Sequence, residues 1–187
     1  IFASGTTMRP IFAVARKAVH KRIAYAEGEE ERVLRAAQIA VDEGIARPTL
    51  IGRPAVIARR LELFGLGLQE GRDHDVVNTE LDHRYRDYWQ QYWRLMERRG
   101  VTAQTAKIEM RRRLTLIGSM LLRSGEVDGL LCGTWGATAL HLGYIDQVIG
   151  HRADATTYAC MNGLMLPGRQ IYLVDTHINA EPTAEQI

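Results

Sequence analysis

The spacing that most suggests chemistry in this chain lies at residues 132–138. Asp128–Cys132 (DGLLC) reads as a clear strand. It runs directly into Gly133-Thr134-Trp135-Gly136-Ala137-Thr138 and then into a helix ending near Gly150. Strand, glycine-bearing turn and helix is the place where open α/β sheets bind ligands, beyond the carboxyl ends of their strands. The chemistry on offer is a set of backbone N–H groups at a helix start, aimed at phosphate or another anion. Gly133, Thr134 and Gly136 are therefore the candidate binding residues. The plain structural reading is a glycine pair easing a tight turn. Cys132 ends the strand, where a helix start can activate a thiol; more often such a cysteine is a small buried hydrophobe.

Other sites are not spelled out. No G-x-G-x-x-G follows a strand, no Walker lysine loop is present, and no G-x-S-x-G elbow occurs. The six histidines show neither H-x-x-x-H nor H-E-x-x-H spacing. Asp73-His74-Asp75 and Asp175-Thr176-His177 contain metal-ligand residue types, but such triplets are common in loops. No catalytic residue and no metal ligand is assigned.

The elements that position the turn follow from hydrophobic spacing. Pro10 opens a short helix carrying Ile11, Phe12, Ala15 and Val19 on one side. Arg22–Ala26 (RIAYA) reads as a strand. Val33, Leu34, Ala37, Ala40 and Val41 recur at helical spacing up to a stop at Gly44. Pro48–Gly52 is a second strand, followed by a helix to about Gly65. A weaker strand is expected at His74–Asn78. Strands and helices alternating through short links favour a parallel sheet covered by helices.

Next comes an aromatic stripe, with Tyr85, Tyr88, Trp89, Tyr92, Trp93 and Met96 on one side of a helix. Such a side must be covered by a core, a second subunit or a stacking ligand. A fully buried Trp93 would make its truncation to alanine cost about 3–5 kcal/mol. Gly100 ends this helix, Thr102 caps the next, and helical pattern continues from Leu114 to Gly125. Tyr158–Leu166 and Gln170–Asp175 read as two strands about Pro167-Gly168. The closing Glu181–Ile187 segment begins a helix too short to hold itself together, so the fold is expected to be incomplete.

The chain has 187 residues, 46% of them hydrophobic and 25% charged, with a net charge of +2. That composition excludes disorder, collagen-like repeats and a disulfide scaffold as its main state. No apolar run approaches the ~18–20 residues of a membrane span. The opening residues lack a signal-peptide pattern, and with two cysteines the default location is the cytoplasm. Residues 1–26 hold Arg9, Arg16, Lys17, Lys21 and Arg22 without any acid, which sums to +5 and leaves −3 for the rest. Such an arm is either a solvated connecting helix or an attachment to an anionic partner. No nucleic-acid motif accompanies it.

Several segments together resemble the phosphate acetyltransferases. They are Arg22–Arg53, Arg99-Gly100-Val101-Thr102, Gly125–Gly129 with Cys132-Gly133, and Asp175–Asn179 with Pro182–Glu185. The resemblance is closer to the phosphate-acetyltransferase-like domain of bacterial NADP-dependent malic enzymes. It is carried by Met8–Phe12 with Ala15–Lys17, Asp87–Trp89, Arg98–Thr102, Cys132–Thr134 and Met161-Asn162 with Leu166-Pro167.

The resemblance implies a three-layer α/β/α fold with an open, mostly parallel sheet, cut short before completion. It divides the chain into a linker helix at 1–21, a first α/β domain at 22–152 and the start of a second at 153–187. It implies an acetyl-CoA-sensing role within a cytoplasmic homo-oligomer, joined to a malic-enzyme half that would hold malate, NADP and a divalent metal. No nucleic-acid or membrane partner is implied. Two positions depart from active transferases, which carry arginines where Met96 and Gly143, or a near neighbour of Gly143, fall by alignment. Losing both removes charge-assisted contacts to anions, so the segment itself is expected not to transfer acetyl groups. Ala137 and Thr138 also depart from the acidic and aromatic residues usual after the turn. A truncated phosphate acetyltransferase and a purely structural oligomerisation module are the rival readings.

Overall fold

The computed structural model describes residues 4–18 and 21–185. Helix α1 (Ser4–Lys17) comes first. It is followed by β1 (Arg22–Tyr25), α2 (Glu31–Asp42), β2 (Arg47–Gly52), α3 (Pro54–Leu63) and β3 (Asp75–Asn78). Four helices come next, interrupted by one strand: α4 (Tyr85–Met96), α5 (Ala103–Arg112), α6 (Leu114–Arg123), β4 (Gly129–Leu131) and α7 (Thr138–Val148). Strands β5 (Met161–Leu166) and β6 (Arg169–Val174) complete the described elements. Two compact units result: residues 16–149, and residues 150–187 together with the first 15.

In the larger unit the sheet order is β3-β2-β1-β4, all parallel. Side chains alternate across a strand, and here the alternation divides the core in two. Ala24, Ile51 and Val77 face a layer formed by α4, α5, α6 and α7; Tyr25 and Leu50 face Val33, Leu34, Ala37, Ile57 and Leu61 of α2 and α3. Both faces are covered, as a parallel sheet requires. The expected α/β/α layering is the one observed.

Polar pairs fix the strand ends. Arg47 makes a bidentate pair with Asp75, Nε to Oδ2 at 2.9 Å and Nη2 to Oδ1 at 2.7 Å, tying the start of β2 to that of β3. Asp128 accepts from the Arg22 backbone N–H at 2.9 Å, tying β4 to β1. Gly28 marks the closest approach: a Cβ there would lie 2.8 Å from the backbone N and O of Ile51. Only glycine lets the loop after β1 lie against β2.

The aromatic stripe packs inward. Tyr88, Tyr92 and Met96 are buried, and Tyr85, Trp89 and Trp93 are half-buried against the same cluster. The Tyr92 hydroxyl donates to Glu109 Oε2 at 2.9 Å, and that of Tyr144 to Glu109 Oε1 at 3.2 Å, so one carboxylate joins α4, α5 and α7. Thr102 caps α5 by accepting from the Thr105 N–H at 3.1 Å.

Two sequence expectations change. Helix α1 begins at Ser4, so Pro10 lies inside it rather than at its first turn; the missing N–H forfeits one bond in a largely exposed helix, and helix continues on both sides. Val19 lies outside the described residues. The helical run through 103–125 is broken at Arg113, whose extended backbone (φ −106°, ψ 95°) separates α5 from α6.

The smaller unit holds an antiparallel hairpin, Met161 opposite Val174 through Leu166 opposite Arg169. Its two strands are those expected around Pro167-Gly168. Asp175 follows at φ 32°. Its carboxylate accepts from the Ile178 and Asn179 N–H groups, each at 3.2 Å. Those bonds, with the Asn179 side chain first among them, hold the Asp175 carboxyl below the usual carboxylate range. This aspartate caps a turn. Residues 186 and 187, the end of the expected closing helix start, lie outside the described residues.

Candidate functional site

The site forms where the strands end. Strand β1 is followed by Ala26–Glu30, β2 by Arg53, β3 by Thr79, and β4 by the 132–137 turn. The chain leaves β1 towards β2 on one side, while β4 pairs with β1 on the other. A crevice opens where neighbouring connections part in this way. An open cleft of about 440 Å³ occupies it, lined by Glu27, Glu29, Glu30, Arg53, Arg60, Thr79, Arg112, Leu114 and Trp135. A smaller pocket of about 90 Å³ shares Glu27, Arg112, Leu114 and Trp135 and adds Thr115, Gly136, Leu140, His141 and Tyr144 among others.

The turn is held from two sides. Glu27 is 4% exposed; its Oε1 accepts from the Gly133 N–H at 3.1 Å and its Oε2 from the Thr134 hydroxyl at 3.3 Å. Gly133 sits at φ 92°, where a side chain would be strained. On the other side His141 bridges the turn to α6. Its Nε2 lies 2.9 Å from the Trp135 carbonyl oxygen and its Nδ1 2.7 Å from Thr115 Oγ1. The carbonyl only accepts, so Nε2 carries a proton; in the neutral ring Nδ1 then accepts from Thr115. A Cβ on Gly136 would come within 3.1 Å of that Nε2.

The sequence-derived residues are thus together, in a different arrangement from the one expected. Gly136 lines the smaller pocket, while the Gly133 N–H and the Thr134 hydroxyl face a carboxylate of the chain itself. Cys132 is not activated: burial first, then the neighbouring Glu27 charge, push its thiol up. Glu27, His141 and the arginines were not found from the sequence. The signal for Glu27 was its place just beyond β1 beside Gly28. For Arg112 it was the Arg111-Arg112-Arg113 run at a helix junction.

The arginines differ in how far their charge is used. Arg53 makes a bidentate pair with Glu29 (Nε to Oε1 at 2.9 Å, Nη2 to Oε2 at 2.8 Å), and Glu29 also accepts from the Arg53 N–H at 2.8 Å. Those contacts outweigh burial and hold the Glu29 carboxyl below its usual range. Arg60 donates to the Glu29 carbonyl oxygen. Arg112 is exposed and has no carboxylate within ion-pair distance among the described residues. It is the guanidinium of this cleft most available to an anion.

Met96 is 5% exposed within the core, and Gly143 lies inside α7 with open space where a Cβ would be. The cleft draws its guanidinium groups from other positions. The histidine-bearing triplet at 73–75 is engaged in the fold: Asp73 pairs with Arg72 at 2.7 Å, which with the Gln69 N–H lowers its pKa to about 2. Asp75 pairs with Arg47, and His74 is buried. No group of three metal-ligating side chains is found among the described residues. No helix among them is long and apolar enough to cross a membrane.

Over all 187 residues the chain is 41% identical to an NAD-dependent malic enzyme of Rhizobium meliloti and to an NADP-dependent malic enzyme of Escherichia coli. It spans 24% of the length of each. It is 33% identical over 175 residues to a phosphate acetyltransferase of Escherichia coli, again 24% of that protein. In structure it superposes on a phosphotransacetylase from Streptococcus pyogenes with a TM-score of 0.81 at 23% identity. That match covers 96% of this chain and 54% of the other. Residues 6–187 match the profile of the phosphate acetyl/butaryl transferases, and the chain belongs to that family.

Proposed function

We propose that this chain is the phosphate-acetyltransferase-like, acetyl-CoA-sensing domain of a malic enzyme and does not itself transfer acetyl groups. The observation that carries the reading is the cleft beyond the strand ends, where Arg53, Arg60 and Arg112 stand beside the apolar Leu114 and Trp135. A carrier with anionic phosphates and an apolar thioester arm suits such a lining. Gly136 borders the smaller pocket, and Gly133 and Thr134 shape the turn beside it.

The malic-enzyme half of the same polypeptide would oxidise malate to pyruvate and carbon dioxide. It would reduce a nicotinamide cofactor, NADP in this reading, with magnesium or manganese. Acetyl-CoA bound here would lower that activity, in a cytoplasmic homo-oligomer. In this reading residues 1–21 link the halves, 22–152 form the first α/β domain, and 153–187 begin a second. The relatives' identity over the whole chain favours the pairing with a malic-enzyme half.

The test is malate-dependent NADPH formation by the full polypeptide, with and without acetyl-CoA. Inhibition that is relieved in Arg112→Ala supports the reading, and an unchanged rate contradicts it. The second reading, a working phosphate acetyltransferase, is favoured by the 33% identity to such an enzyme. It predicts acetylation of coenzyme A from acetyl phosphate. The departures at Met96 and Gly143 predict none.

A further inference from the structure

Glu27 is a buried carboxylate without a cation. Among the described residues no lysine, arginine or histidine lies within ion-pair distance of it, and its two recorded partners are neutral donors. Taking a carboxylate out of water is costly unless it is paired or well hydrogen-bonded. A carboxylate can accept at about four lone-pair positions, so Glu27 keeps accepting capacity. It lines both the larger cleft and the smaller pocket, as does Arg112. One wall therefore presents an unspent positive group and an under-satisfied negative acceptor.

We propose that Glu27 is a specificity-determining residue of this cleft, admitting anions that carry a hydrogen-bond donor and rejecting anions that carry none. The inference deepens the ligand-binding reading above and rests on the same cleft. An anion drawn to Arg112 meets the Glu27 carboxylate. If the ligand offers an O–H or N–H, that group donates to Glu27 and the encounter is favourable. If the ligand offers only oxygen lone pairs, like charges are brought together without a proton between them, which disfavours binding. Hydrogen phosphate has the donor; sulfate at neutral pH does not. The amide N–H groups of a pantetheine arm also meet the requirement. Discrimination of this kind comes from the repulsive element as much as from the attractive one.

The experiment is calorimetric titration of the full polypeptide at pH 6.5 with inorganic phosphate, sulfate and acetyl-CoA, using wild type, Glu27→Gln and Arg112→Ala. Wild type is expected to bind phosphate about tenfold or more tighter than sulfate. Glu27→Gln should bring the two within about threefold, chiefly by tightening sulfate, because the amide can donate where the carboxylate could not. A merely structural role for Glu27 would weaken both anions together and would not produce a gain. Arg112→Ala should weaken both. Equal phosphate and sulfate affinities in wild type, an unchanged ratio in Glu27→Gln, or binding of neither anion would overturn the proposal. Acetyl-CoA binding by none of the three proteins, with the anion ratio changed as expected, would overturn the acetyl-CoA reading and leave the role of Glu27 standing.

Discussion

The Gly133 N–H donates to the Glu27 carboxylate at 3.1 Å, joining the loop after β1 to the turn after β4 across the point where the sheet's connections part. A turn that looks built to hold a ligand's anion is thus held by an anion of its own chain. The position of Glu27 depends in turn on Gly28, which lies against the Ile51 backbone.

Gly28→Ala is therefore expected to destabilise the fold by about 1–3 kcal/mol, because the added methyl meets backbone that cannot turn aside. Urea unfolding would measure this. A change below about 0.5 kcal/mol would show that the loop shifts freely.

The stripe on α4 gives a graded prediction. Tyr92 is 1% exposed, so Tyr92→Ala should cost about 3–5 kcal/mol. Tyr92→Phe, which leaves Glu109 without that donor, should cost about 1–2 kcal/mol. Trp93 is only half-buried, so Trp93→Ala should cost less than Tyr92→Ala, at about 1–3 kcal/mol, and not the figure a buried tryptophan would imply. Equal losses at the two positions would contradict this packing.

Much of the fold was legible because its signals are local. Val33, Leu34 and Ala37 repeat at helical spacing and are buried together; the run RIAYA contains β1, and PTLIG is β2 without its first residue, Arg47. The site was less legible because it is assembled over long separations. Glu27 meets Gly133 across 106 residues and Thr115 meets His141 across 26, and no residue pattern announces such contacts. The glycine turn itself was visible. What fills it was not, since a carboxylate two residues beyond a strand reads as an ordinary loop residue. The α5–α6 break at Arg113 escaped because apolar spacing continues through it.

His74 supplies a pH dependence. It is 1% exposed, and burial lowers its pKa below the ordinary 6.5 despite the nearby Glu70, Asp73 and Asp75. Between the folded and unfolded pKa values the unfolded chain binds more protons, so stability rises with pH there. This contribution is complete above about pH 6.5 and declines as pH falls towards the folded pKa. Denaturant midpoints taken from pH 7.5 to 5 should fall, and His74→Phe should flatten the slope. An identical slope in the variant would place the titration elsewhere.

Carboxylates held by arginine act lower on the scale. The Asp75 carboxyl is lowered chiefly by its bonds from Arg47. The stability it gives is present above the ordinary Asp range and is lost as pH falls through the lowered value. Asp75→Asn should reduce the loss of stability below about pH 4. A variant that keeps the full acid loss would show that the strand-end pair contributes little to it.

In the proposed reading the cleft beyond the strand ends binds an acyl-CoA ligand through Arg112. Titration of the full polypeptide with acetyl-CoA tests it most directly. Saturable binding in wild type, weakened about tenfold or more in Arg112→Ala with the fold intact by circular dichroism, is the predicted result. Absence of binding heat in wild type, or equal affinity in the variant, would contradict it.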